Sequence, residues 1–153
     1  MDEFKRIMVP LDGSSLAENA LPQATALARK FNSHIILIRV LDFHHFTLPS
    51  SQFGDTLVKA RQEAYRDIQD YLKAKEDKLA YQGLNVQSLV DDRSPAQAII
   101  ETAKNQGVDL IVMSTHGRGG LARWAFGSVA DKVVRHSPCP VFIIPPHDRG
   151  GIE

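Results

Sequence analysis

The sequence predicts an α/β fold, a parallel sheet of five strands with helices on both faces. Five short apolar runs, rich in β-branched residues, are separated by longer segments whose apolar positions recur at helical spacing. Strand and helix alternate four times and a last strand closes the pattern, as in doubly wound parallel sheets. The crossover connections of such sheets place helices against both faces.

The strands are expected where the apolar runs lie. In order along the chain they are Ile7–Leu11, Ile35–Leu41, Val86–Val90, Leu110–Met113 and Val141–Ile144. The second run is continuous and β-branched, which is typical of a strand buried on both faces. The third run is the weakest of the five.

Apolar or small residues at spacings of three and four predict a helix between the first two strands. They are Leu16, Ala20, Ala24, Leu27, Ala28 and Phe31. Pro22 lies inside this pattern, and it should kink or restart the helix because proline lacks the N–H that an interior position needs.

The later helices are predicted from their stripes and their ends. One apolar stripe is formed by Val58, Tyr65, Ile68, Leu72 and Leu79. Gly83 would cap that helix at its C-terminus. Ser94-Pro95 combines an N-cap with a first-turn proline and predicts a further helix, which Gly107 ends. Gly127-Ser128 opens the last helix, where Ser128 to Asp131 matches a capping box.

Composition narrows the class of protein. The 153 residues contain 18 Lys and Arg against 18 Asp and Glu, so the net charge is zero and no basic excess indicates a nucleic-acid partner. A single cysteine excludes an internal disulfide. The polar segment Met1–Arg6 is unlike a signal peptide, and no apolar stretch approaches the roughly 18–20 residues of a membrane span. We expect one domain over 1–153, with a core of about 5–145, in the cytoplasm and without a membrane partner.

Two turn-rich segments follow predicted strands and are the candidate binding loops. They are Pro10–Ser15, after the first strand, and Ser114–Ser128, after the fourth. Ligands of doubly wound sheets bind at the carboxyl ends of the strands, where the strand order reverses. Both segments would face one crevice if the first and fourth strands are neighbours.

The glycines of the second segment have a physical use. Glycine lets backbone N–H groups approach an anion, and a helix start presents further N–H groups to a phosphate. The alternative, a surface turn with a capping serine, is equally compatible with the pattern. A P-loop motif is absent from the sequence. The match Gly117-x-Gly119-x-x-Ala122 to a dinucleotide fingerprint follows the fourth strand instead of the first, and we treat it as accidental.

Other chemically active residues have simpler explanations. Asp12 either grips a ribose hydroxyl or base amine, or only forms the turn Asp12-Gly13-Ser14. His116 either touches phosphate or bonds to the backbone of its turn. His44-His45 has no nearby ligand cluster, so no metal site is predicted, and Cys139 is expected to be a small packed residue. No pattern supplies a general base, and no catalytic residue is assigned.

Several motifs in order resemble the universal stress protein family. They are Ile7-Met8-Val9-Pro10-Leu11-Asp12-Gly13-Ser14, Ser94-Pro95-Ala96, Val112 to Arg118 followed by Gly127-Ser128, and His136 to Val141. The resemblance runs from about Lys5 to Pro145. It implies a Rossmann-like, nucleotide-binding sheet in the order 3-2-1-4-5 and a homodimer, for which the edge strand Val141–Ile144 is the predicted interface.

The resemblance also implies a site for ATP. The ATP-binding branch carries a glycine, two residues, a second glycine, nine residues and then Gly-Ser or Gly-Thr. Here the second glycine is Gly117 and the pair is Gly127-Ser128, whereas Ser114 replaces the first glycine. Arg93 is a second departure, at a position where members often have glycine. It would either crowd the ribose or add a cation.

The nucleotide-binding residues carried over from the family begin in the first candidate loop. Pro10, Leu11 and Asp12 would contact the adenosine and Val40 the base. By the same resemblance the ribose and phosphates would be lined by Met113, Ser114, Gly117, Arg118 and Gly119, and Gly127, Ser128 and Val129 would hold the phosphate tail. His116 is added to the predicted site because it would lie in the same crevice.

The predicted function is a nucleotide-dependent switch in stress response or signalling that binds ATP, ADP or AMP. Mg²⁺ on the phosphates is left open. Two alternatives stand beside it. One is a slow ATPase or nucleotidyl-transferring enzyme, in which Asp12 or His116 would position water or an acceptor. The other is an interaction module that binds no nucleotide.

Overall fold

The computed structural model describes residues 3–42, 54–115 and 127–146. Its elements in chain order are β1 (Arg6–Leu11), α1 (Ser15–Glu18), α2 (Ala20–Phe31), β2 (His34–Val40), α3 (Gly54–Tyr81), β3 (Asn85–Asp91), α4 (Pro95–Asn105), β4 (Leu110–Ser114), α5 (Ser128–His136) and β5 (Val141–Ile144). All strand pairs are parallel, and the order is β3-β2-β1-β4-β5. The predicted fold class and strand order are confirmed, with each strand end within one residue of its predicted place.

The central strands are buried on both faces because each face is covered by a helical layer. Ile7, Val9 and Leu11 of β1 pack with α1, α2 and α3, whereas Met8 packs with α4 and α5. Successive side chains of a strand point to opposite faces, so one apolar run serves two separate cores. This explains why the first and second runs are continuous instead of alternating.

The helical segment after β1 is divided at Asn19, as the position of Pro22 predicted. α1 ends at Glu18, and α2 begins at Ala20 with Pro22 in its first turn. The missing N–H is harmless there, because first-turn N–H groups have no intrahelical acceptor. The break leaves α1 as a single turn, and this turn contacts β4.

The predicted buried stripe of α3 is correct only in its second half. Ile68, Leu72 and Leu79 are buried, but Val58 is 56% and Tyr65 42% exposed. The reason is length. A helix of 28 residues is about 42 Å long at 1.5 Å per residue. The seven-residue strands β2 and β3 span only about 23 Å. The first turns of α3 therefore extend beyond the sheet.

The predicted helix ends are mostly confirmed. Gly83 has φ +84°, and the N–H of Leu84 donates to the carbonyl of Leu79 at 3.2 Å, as in a glycine C-cap. α4 begins at Pro95 after Ser94. The capping box of α5 is wrong, because Gly127 is the N-cap residue and Ser128 already lies in the first helical position. None of the helices in the described ranges is long and apolar enough to span a membrane.

Candidate functional site

The candidate crevice lies at the carboxyl ends of β1 and β4, which are neighbours in the middle of the sheet. Ile7 pairs with Leu110, and Met8 with Ile111. In the sheet, β2 and then β3 lie beyond β1 on one side of this pair, and β5 lies beyond β4 on the other. The loops after β1 and β4 therefore leave the sheet at its switch point, where open parallel sheets bind ligands.

The loop after β1 is a tight turn organised by its own side chains. The Asp12 carboxylate accepts the N–H of Ser14 at 2.9 Å, and the Ser14 hydroxyl accepts the N–H of Ala17 at 3.1 Å as the N-cap of α1. Gly13 between them has φ +86°, a conformation that favours glycine. The turn-forming interpretation of Asp12 is thus confirmed, and its role toward a nucleotide stays a prediction.

A guanidinium lies directly against this turn. A Cβ added to Gly13 would lie 2.9 Å from Nη2 of Arg39 and 3.0 Å from its Cζ. Arg39 is the penultimate residue of β2, pairs with Leu11, and its Cζ lies 4.7 Å from the ring centroid of Tyr71. Sequence reasoning missed both residues. The available signal was a single charged residue inside the apolar run 35–41.

Tyr71 connects the guanidinium to α1. Its hydroxyl donates to Glu18 at 2.7 Å, and Lys75 pairs with the same carboxylate at 2.8 Å. Burial raises the pKa of Tyr71 strongly, and the hydrogen bond to Glu18 adds to the rise, so the phenol stays protonated at physiological pH. Burial alone would raise the pKa of Glu18, but the hydrogen bonds from Lys75 and Tyr71 outweigh it and the pKa is lowered.

Thr115 and Gly127, which follow β4 and precede α5, are hydrogen-bonded to each other. The N–H of Gly127 donates to the carbonyl of Thr115 at 3.0 Å, and the N–H of Thr115 donates to Ile144 at 3.3 Å. The first helical N–H groups of α5, from Ser128 to Ala130, have no intrahelical acceptor. Among the described residues no side chain caps this helix start. Such a start is chemically suited to an anion.

The structure describes nine of the thirteen predicted site residues. The side chains of Leu11 and Met113 are buried in the two cores, so these residues can present only backbone to the crevice. Pro10 and Val40 lie at the ends of β1 and β2, and Ser128 is exposed at the start of α5. The other four, His116, Gly117, Arg118 and Gly119, lie outside the described residues.

Comparison with known proteins decides the family. The family described as "Universal stress protein family" matches residues 3–145 of this chain. The chain belongs to the universal stress protein family. It is 31% identical over 142 residues to universal stress protein MJ0531 of Methanocaldococcus jannaschii, which covers 92% of this chain and 82% of that protein.

Solved universal stress proteins share the fold. Universal stress protein UspA from Lactobacillus plantarum superposes with a TM-score of 0.82 at 24% identity, over 94% of this chain and 99% of that one. A family member in complex with cAMP has a TM-score of 0.71 at 22% identity, over 95% and 100% of the two chains. A member from Arabidopsis thaliana with AMP bound has a TM-score of 0.68 at 17% identity, over 94% of this chain and 93% of that one.

The first departure from the family's glycine pattern, Ser114, has its own partner. The Ser114 hydroxyl donates to the carbonyl of Leu16 in α1 at 2.6 Å, across 98 residues of chain. The hydroxyl is therefore directed toward α1. It ties the end of β4 to α1, the helical turn that follows the Asp12 loop.

The second departure, Arg93, is held by neighbouring carboxylates. Its Nε donates to Asp91 at 3.0 Å, and Nη1 lies 3.3 Å from Glu101. The hydrogen bond from Arg93 lowers the pKa of Asp91, although burial opposes the shift. Of the two predicted consequences, crowding or an added cation, neither is shown by these contacts. The guanidinium neutralises Asp91 at the end of β3 and Glu101 in α4.

Proposed function

We propose that this universal stress protein binds an adenine nucleotide, ATP or its products ADP and AMP, between the Asp12 loop and the start of α5. It would act as a nucleotide-dependent switch in stress response. The role of each predicted residue is the one that the family pattern implies, and Mg²⁺ would accompany the phosphates of ATP.

One observation carries this proposal. The start of α5 has no side-chain cap among the described residues, and the bond from Gly127 to Thr115 holds it next to the carboxyl end of β4. Asp131 does not cap it, since its carboxylate pairs with Arg135 at 3.1 Å. A helix start whose first N–H groups have no intrahelical acceptor, placed at a switch point, favours a phosphate. The total charge is zero, so the attraction would come from this local array of N–H groups and not from a general basic surface.

The choice of an adenine nucleotide is supported by the relatives. The two family members named with ligands hold cAMP and AMP, which share an adenosine and one phosphate. Asp12 would then meet the adenosine and the α5 start the phosphates.

Substitutions at Ser128 test the helix-start proposal. Gly127 has ψ 154°, which is compatible with a following proline, and proline is favoured at the first helical position. Ser128→Pro would remove one N–H and the hydroxyl without disturbing α5, whereas Ser128→Ala removes the hydroxyl alone. We expect Ser128→Pro to weaken ATP binding about tenfold and Ser128→Ala to weaken it less, because hydrogen bonds to charged groups contribute about 1.5–3 kcal/mol.

The binding measurement is calorimetry on protein purified free of nucleotide, with and without Mg²⁺. Asp12→Ala should weaken binding, and Asp77→Ala, which removes an exposed carboxylate of α3, serves as its control. No detectable binding by the wild type would support a nucleotide-free interaction module instead. Phosphate release above background that is lost in Asp12→Ala or His116→Ala would support the slow enzyme instead.

We also propose a homodimer through β5. This strand lies at the edge of the sheet, and its Phe142 side chain is 46% exposed. An apolar edge strand favours pairing with a second chain. Equilibrium sedimentation should give a dimer for the wild type and a monomer for Phe142→Lys. A wild-type monomer at micromolar concentration would exclude this interface.

A further inference from the structure

The Arg39 guanidinium lies next to the β1–α1 loop, and Arg39 is not among the predicted nucleotide-binding residues. Arg39 follows Ile35 and Leu37 on the face of β2 that packs against α2 and α3, whereas the neighbouring Val40 belongs to the opposite face. The Arg39 guanidinium lies next to the Gly13 turn.

The neighbours of the guanidinium include the Tyr71 ring and the Gly13 turn. Cζ lies 4.7 Å from the centroid of the Tyr71 ring, within the range of a cation–π interaction. Nη2 occupies the space that a side chain at position 13 would need. Tyr71 itself is held by its hydrogen bond to Glu18 at 2.7 Å, and Lys75 Nζ lies 5.6 Å from the same ring.

The charges of Asp12 and Arg39 both act on the Tyr71 side chain. After burial and the effects of Glu18, the Asp12 charge further raises the pKa of Tyr71, and the Arg39 charge opposes the rise. The ring of Tyr71 thus lies within the fields of the Asp12 carboxylate and the Arg39 guanidinium. Lys75 pairs with Glu18, and the Arg39 guanidinium lies next to the turn that Asp12 begins, so positive charge accompanies both carboxylates close to a loop that would receive an anion.

We propose that Arg39 and Tyr71 are a positioning pair for the nucleotide site, in which the stacked guanidinium holds the turn from Asp12 to Ser14 in its binding geometry. The inference rests on the proposed function. Neither residue needs to touch the nucleotide. The ring supplies the stacking surface, and its hydroxyl contributes only through Glu18.

Binding measurements on five variants test the proposal. Arg39→Gln and Tyr71→Leu should each weaken ATP binding about threefold to tenfold, the range expected for loss of a partly buried cation–π contact. Because each residue acts through the other, the double variant should lose no more than about the larger single effect. Tyr71→Phe keeps the ring and should bind within about twofold of the wild type. Arg29→Gln, which removes the exposed contact of α2 with Gln82, is the control.

Amide hydrogen exchange supplies a readout that does not depend on nucleotide. The N–H of Ser14 is bonded to the Asp12 carboxylate at 2.9 Å. In the unliganded protein its exchange should be about threefold or more faster in Arg39→Gln and unchanged in Arg29→Gln. Circular dichroism confirms that each variant is folded at the working temperature, and Arg39→Lys replaces Arg39→Gln if the latter is unfolded.

The outcomes separate this inference from the proposed function. A wild type that binds no adenine nucleotide refutes the proposed function, and with it the nucleotide role of the pair. If the wild type binds and Arg39→Gln binds equally well, the positioning role alone is refuted. If the exchange rate of the Ser14 N–H is unchanged in Arg39→Gln, the inference that Arg39 holds the turn is refuted. If Tyr71→Phe and Tyr71→Leu weaken ATP binding equally, the effect comes from the hydroxyl, and the stacking role of the ring is refuted.

Discussion

Gly13→Ala should be markedly more destabilising than an alanine at Gly83, a glycine with nearly the same positive φ. Gly13 and Gly83 have φ +86° and +84°, but an added Cβ would meet Arg39 Nη2 at 2.9 Å in the first case and nothing within 4 Å in the second. Gly83→Ala therefore reports the cost of the left-handed conformation alone, about 1 kcal/mol.

The additional cost at Gly13 is set by what Arg39 loses. An arginine side chain can move away from a new methyl group, but here the movement would break its stack on Tyr71. That contact contributes about 0.5–2 kcal/mol. We expect Gly13→Ala to lower the free energy of unfolding by about 2–3 kcal/mol. In an Arg39→Ala background the same substitution should cost only about 1 kcal/mol, because the obstructing guanidinium is gone.

Urea unfolding followed by far-UV circular dichroism measures all of these values. Each free energy is obtained by linear extrapolation, and the variants are comparable if their m-values agree. Replacing a glycine by alanine also reduces the conformational freedom of the unfolded chain, which stabilises the folded protein. This contribution is the same for Gly13→Ala and Gly83→Ala, so it cancels in the difference between their free energies of unfolding. Equal costs at the two glycines, or no coupling between Gly13→Ala and Arg39→Ala, would refute the packing of the guanidinium against the turn.

Three further predictions concern stability and assembly. Leu72→Ala should cost about 2–4 kcal/mol in urea unfolding, whereas Val58→Ala should cost less than about 0.5 kcal/mol, although both belong to the same predicted stripe. Arg93→Gln should cost about 1 kcal/mol at neutral pH. The lowered pKa of Asp91 makes this stabilisation complete above its unfolded pKa of about 4 and lost as the pH falls through its folded pKa, so acid should narrow the gap between wild type and variant. In sedimentation at rising concentration, Phe142→Lys should remain monomeric where the wild type dimerises.

Most of the fold could be predicted because its signals are local. The run 35–41 indicates a strand by composition alone, and Pro22 indicates the break between α1 and α2 by the chemistry of its missing N–H. The failure at Val58 and Tyr65 has a different origin. Periodicity reports which residues share a helix face, but not whether the partner surface extends far enough to cover that face.

The site could be predicted less completely than the fold. The turn at Asp12 follows from its local sequence, and the family pattern draws attention to Ser114. The partner of Ser114 could not be predicted, since the Leu16 carbonyl is 98 residues away and is brought near only by the neighbouring positions of β1 and β4. Arg39 was missed for the same reason, because its stacking partner Tyr71 lies on a different element.

The hydrogen bond between Gly127 and Thr115 joins the start of α5 directly to the end of β4. β4 is also fixed by its pairing with β1 and β5, and α5 by the burial of Ala130 and Val133. The positions of these two elements are therefore set by contacts among the described residues themselves. An engineer could use Thr115 and Gly127 as junctions for transplanting the stretch between them from another family member, with β4, α5 and the two cores expected to keep their positions.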